Sequence, residues 1–170
     1  MDRIDLITEG TDLPPEARDI AERIVETRGA ITRPFQVLLH APTLAEHVAS
    51  LGHVVRSGSS LSDADRELAT LATGSALGCA FIRSSHLTSA SEAGLSAHTI
   101  ASLDGDRASL AGREATLASF ADELCATGTV SAATYAAALD LLGPRGVVEL
   151  ALTVGYYTML ARVMGAFEAC

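Results

Sequence analysis

The chain has 170 residues with 12 basic and 21 acidic side chains, so its formal charge is 12 − 21 = −9. All the basic residues are Arg, and Lys, Asn and Trp are absent. The missing amine excludes Schiff-base chemistry, a pyridoxal-phosphate lysine and a Walker A phosphate loop; the missing Asn excludes a Cys-His-Asn triad in its usual form. So acidic a chain is a poor partner for nucleic acid or an anionic membrane surface, where clustered cations supply the affinity.

A chain of this length buries roughly 70% of its extended surface, enough for a core without disulfides, and the expectation is one domain over residues 1–170. Aromatics are only 4% of the residues, so Ala, Leu, Val and Ile must build the core, which favours close helix packing. Cys79, Cys125 and Cys170 are odd in number and widely spaced, unlike a secreted disulfide framework or a zinc site. Met1-Asp-Arg-Ile-Asp-Leu lacks the basic and apolar regions of a signal peptide. The most apolar stretch, 146–167, carries Glu149 and Arg162 and reads as a buried helix rather than a membrane span. The expected location is cytoplasmic.

In chain order, Leu13-Pro14-Pro15-Glu16 opens a helix with Ile20, Ile24 and Val25 on one face, closing at Gly29. Residues 31–35 read as a short extended stretch bounded by Pro34. Pro42 opens a second helix with Leu44, Val48, Leu51 and Val55 at helical spacing, ended by 58–60. Ser62, with Asp65 three residues on, resembles a capping box, and the helix it opens carries Leu68, Leu71, Ala72 and Ser75 up to Gly78. A helix from Cys79 to Gly94 follows, then a short one capped by Ser96, then one over 112–128. Ser131 caps the next, Gly143-Pro144 interrupts, and a long helix closes the chain. No stretch alternates with period two, so the fold class is all-α, with seven to eight helices.

The chemistry gathers around one predicted hairpin. Glu67 and Cys79 lie on consecutive helices joined by a glycine turn, and Cys79, Ile82 and His86 share one face of the second. A cysteine in the first helical turn favours its thiolate. The stretch Arg66-Glu67-Leu68, Leu77-Gly78-Cys79 through His86, and Ala93-Gly94-Leu95-Ser96 resembles the carboxymuconolactone decarboxylase-like, or AhpD-like, superfamily. Residues 13–15, 39–42, 146–149, 155–157 and 166–168 extend the likeness over nearly the whole chain.

The resemblance implies an all-helical fold assembling as a homotrimer or homohexamer, with the site between helices or at subunit contacts. It puts Glu67, Cys79 and His86 on the Glu, first Cys and His of the alkylhydroperoxidase branch. The second Cys, which acts as the peroxidatic nucleophile in that branch, is Ile82 here, so the usual dithiol relay is missing unless Cys125 or Cys170 comes within about 7 Å of Cys79 between Cα atoms. The decarboxylase branch matches at His86 but not at Glu67 and Cys79.

The expectation is therefore a cofactor-independent lyase or isomerase acting on a small oxygenated carbonyl, lactone or carboxylic-acid substrate. His86 would be its acid/base, with Glu67 orienting it and Cys79 shaping the pocket. Ile82, His53 and Tyr156 are candidate substrate contacts, with Tyr157 in reserve. One alternative is a thiol peroxidase or redox sensor using Cys79; another is a ligand-binding oligomer without catalysis. His40, His47 and His98 show no ligand spacing, so no metal is expected. Arg83 falls off the Cys79–His86 stripe and reads as solvated or at a subunit contact.

Overall fold

Prolines and capping hydroxyls start most of the helices. The computed structural model of the chain describes residues 3–170, except the side chain of Glu16; Met1 and Asp2, part of the N-terminal stretch read above, lie outside the described residues. Eight α-helices and no strand occur among the described residues, with short 3-10 turns at Gly10–Asp12 and Arg107–Ser109. The residues form two compact units, Met1–Gly58 with Arg162–Cys170, and Ser59–Ala161.

In the first unit, α1 (Pro15–Arg28) begins with proline in its first turn and ends at Gly29 in the left-handed region. Its buried stripe is Ala17, Ala21 and Ile24, continuing from Leu13, while Val25 is 39% exposed. Of the predicted face, Ile24 is buried and Ile20 packs against the same core, and only Val25 turns outward. Residues 31–35 are not an extended stretch: α2 (Arg33–Leu38) starts from an extended Thr32, and Pro34 sits in its first turn, where the lost N–H is an orphan anyway. Phe35 is fully buried under the Arg28 guanidinium, 4.2 Å from the ring centroid. On α3 (Pro42–Ser57) the buried residues are Ala45, Ala49, Gly52 and Val55. Leu44 and Leu51 face outward, because small side chains are what let α1 and α3 approach closely.

In the second unit, α4 (Asp63–Ala76) is the central helix, buried continuously from Glu67 to Gly74. It packs against α5 (Ala80–Glu92) and α7 (Gly112–Thr127). Leu68 and Leu71 of α4 join Leu117, Phe120, Leu150 and Val154 in one core cluster. The short α6 (Ala97–Ser102) is capped by Ser96, whose side chain accepts from the Thr99 N–H. The last element, α8 (Ala132–Ala166), breaks at Gly143, whose φ of 67° and ψ of 175° are open essentially to glycine alone; Pro144 then restarts the helix. By length and composition α8 is apolar enough to cross a membrane, but half of its apolar window is buried inside the protein.

Candidate active site

The site is built on the α4–α5 hairpin. Ser62 caps α4 by accepting from the Asp65 N–H at 3.2 Å. The Asp65 carboxylate takes two 2.7 Å hydrogen bonds from Arg113 of α7, a bidentate pair that fixes the helix start. Burial pushes the Asp65 carboxyl up, but hydrogen bonds from Arg113 and Ser62 outweigh it and hold it below its usual value. The turn before α4 is held as well. Glu149 Oε2 accepts from the Ser60 N–H at 2.7 Å, the Ser60 hydroxyl at 2.6 Å and the Ser59 hydroxyl at 3.1 Å.

At the other end of α4 the chain turns through Leu77 and Gly78 into α5, with Cys79 as N-cap. Gly74 is the point of closest approach: a Cβ there would lie 3.0 Å from Ile82 Cγ2 and 3.4 Å from the Arg83 backbone nitrogen. Ile82 is 2% exposed, so it fills the helix contact, where the sequence reading had it touching substrate. Arg83, read from sequence as solvated or at a subunit contact, is half-buried and pairs with Asp104, which also accepts from Ser75.

One turn beyond Ile82, His86 Nδ1 lies 2.8 Å from Glu67 Oε2. Both side chains are largely withdrawn from solvent, 17% and 8% accessible. Where Glu67 is the carboxylate it can only accept, so Nδ1 is then the donor, and in a neutral ring Nε2 holds the lone pair. On the other side of the carboxylate, Arg66 Nε stands 3.9 Å from Glu67 Oε1. Tyr157 presents its ring edge-on to His86 at 5.0 Å, and Tyr156 packs on Tyr157 at 5.3 Å. Tyr157, held in reserve by the sequence reading, is thus the tyrosine that meets the imidazole.

Cys79 is 1% exposed. It is disulfide-bonded, as is Cys170; in that form Cys79 has no thiolate for the helix dipole to favour. His53 lines a groove of about 340 Å³ within the first unit, between α1 and α3, with Ile20, Ile24, Ala49 and Val54. No cluster of three or more His, Cys, Asp or Glu able to hold a metal occurs among the described residues.

Residues 42–123 match the Carboxymuconolactone decarboxylase family. The segment contains the whole α4–α5 hairpin. Over that segment the chain is similar to this family. Two solved structures share the fold. One is an uncharacterized peroxidase-related protein from Ralstonia eutropha, described as an alkylhydroperoxidase AhpD core: TM-score 0.79, 17% identity, covering 99% of this chain and 91% of that one. The other is a protein of unknown function from Agrobacterium tumefaciens, named for the antioxidant-defence protein AhpD: TM-score 0.68, 20% identity, covering 77% and 92%. Comparison with curated proteins gives no match.

Proposed function

We propose that this protein is a cofactor-independent lyase or isomerase working by general acid/base catalysis on a small oxygenated carbonyl, lactone or carboxylic acid. The observation that carries this reading is the part-buried 2.8 Å hydrogen bond between Glu67 and His86. With Nδ1 committed to Glu67, Nε2 is the nitrogen left to exchange a proton with substrate. In an isomerisation it removes the proton next to a carbonyl and returns it at another carbon. In a decarboxylation of a β-keto acid Nε2 first takes the carboxylic-acid proton, the C–C electron pair moves onto the carbonyl as CO₂ leaves, and the imidazolium returns that proton to the enolate carbon. Tyr157 limits rotation of the imidazole. Assembly as a homotrimer or homohexamer belongs to the same proposal; Val148 and Leu152, 60% and 50% exposed on α8, supply apolar surface for it.

The test is turnover by wild type, His86→Ala and Glu67→Gln on a panel of β-keto acids and lactones, followed by CO₂ release and loss of absorbance. On any substrate the wild type turns over, His86→Ala is expected to lose about 10²–10⁴-fold. Full activity in His86→Ala would overturn the mechanism.

A second reading, thiol redox chemistry, is favoured by the disulfide-bonded state of Cys79. Reduced Cys79 would attack a hydroperoxide, giving an alcohol and a sulfenate that condenses with a second thiol to a disulfide and water. This reading requires hydroperoxide consumption by the reduced protein and its loss in Cys79→Ser. No consumption by the reduced wild type would eliminate it.

A further inference from the structure

Arg66 is an unusual neighbour for the dyad. Its side chain is 12% accessible, and its Nη2 binds Asp63 Oδ1 at 2.8 Å. Its Nε is buried with no hydrogen-bond partner among the described residues. Glu67 Oε1, 3.9 Å away, receives no hydrogen bond described in the structure, since the bond to His86 uses Oε2. A buried donor and a carboxylate oxygen thus face each other across a gap about 1 Å wider than a hydrogen bond. Contacts of this kind can tighten when substrate binds.

The consequence lies in the proton shared by Glu67 and His86. It can sit on Nδ1, leaving a carboxylate and a basic Nε2. With one more proton, taken up from solvent, the carboxyl itself is protonated and donates to Nδ1, which leaves the neutral imidazole as the Nε2–H tautomer. The first state can abstract a proton from substrate; the second cannot. The charged groups facing the carboxyl are Arg66 on its own helix and His86 on α5, with the Tyr157 hydroxyl-bearing ring of α8 beyond the imidazole. Of these only the guanidinium is permanently cationic, and an adjacent cation favours the ionised carboxyl.

We propose that Arg66 is the positioning residue that keeps the proton on His86 Nδ1, holding Glu67 as a carboxylate and Nε2 as the base. This rests on the acid/base reading for its consequence but not for its readout. The experiment is ¹⁵N-detected NMR of the His86 imidazole in the full chain, under conditions where the ring is neutral. Wild type is expected to show a protonated Nδ1 and an unprotonated Nε2. Arg66→Met is expected to shift the population toward Nε2–H, and Arg66→Lys to restore the wild-type pattern. Asp63→Asn, which removes the charge of the other partner of Arg66 and leaves the guanidinium, is expected to behave as wild type. An unchanged Nδ1–H signal in folded Arg66→Met overturns the proposal. So does a shift in Asp63→Asn equal to that in Arg66→Met, because it would mark a purely structural role. If the tautomers respond as expected while His86→Ala keeps full turnover, the acid/base reading fails and the role of Arg66 in the dyad stands.

Discussion

Acid should release the turn that launches α4, and Glu149 is the group through which it acts. Hydrogen bonds from Ser60, followed by those from Arg145 and Ser59 and opposed by burial, lower the Glu149 pKa from 4.5 to about 2. A carboxylate depressed in the folded state contributes stability that is complete above its unfolded value near 4.5. That contribution is lost as the pH falls toward about 2. The drop from 4.5 to about 2 sets an upper limit of about 3 kcal/mol. Arg145 is 73% exposed, so its share is largely screened. The three contacts from Ser59 and Ser60 leave an expected contribution of about 1–2 kcal/mol. Glu149→Gln keeps the shape and removes the charge. Urea unfolding of both proteins from pH 7 to pH 2.5 should show the wild type more stable at neutrality by about that amount, with the lead shrinking below pH 4.5. A gap between the two that does not change with pH would refute the reasoning.

Two further outcomes follow from the packing. Gly74→Ala places a methyl 3.0 Å from Ile82 Cγ2 in a fully buried contact, and overpacking of this kind costs about 1–3 kcal/mol; chemical denaturation gives the cost, and a neutral result would mean that α5 moves freely away from α4. Replacing Val148 and Leu152 together by Glu is expected to reduce the proposed trimer or hexamer to smaller species in sizing chromatography with unchanged helical circular dichroism. A wild type that is monomeric at micromolar concentration would contradict the proposed assembly.

The helices were readable because their boundaries are local chemistry. Ser62, Ser96 and Gly143-Pro144 act within three or four residues of themselves, and each lies where the pattern put it. Burial phase was less legible in α1 and α3: of the larger apolar residues in the expected stripes Ile24 and Val55 are buried, but Val25, Leu44 and Leu51 turn outward, and Ala17, Ala21, Ala45 and Ala49 fill the interface. Pro34 misled for a related reason, since proline in a first helical turn and proline after an extended stretch look alike in sequence. At the site, Glu67 and His86 could be placed on facing helices of one hairpin. Choosing Tyr157 over Tyr156 as the neighbour of His86 depends on the rotation of α8 after its break. The grip of Glu149 on Ser60 spans 89 residues and has no local signature at all.

Gly74 and Ile82 bear most directly on which chemistry the hairpin supports. The superfamily likeness makes position 82 the place where a second cysteine would complete a redox pair. Here that position holds a branched side chain pressed onto a glycine backbone, with 2% exposure. A thiol put there would leave the volume of the isoleucine branches empty, and a cavity of that kind is costly because the surroundings relax only partly. The contact is thus fitted to the aliphatic side chain. Four residues on, the same helix delivers His86 to a carboxylate on α4, so the closeness that Gly74 and Ile82 create sets the 2.8 Å bond of the dyad. The interlock lacks a sulfur at position 82, so no dithiol relay runs between positions 79 and 82, and the same contact positions the Glu67–His86 pair on which the proposed acid/base chemistry rests.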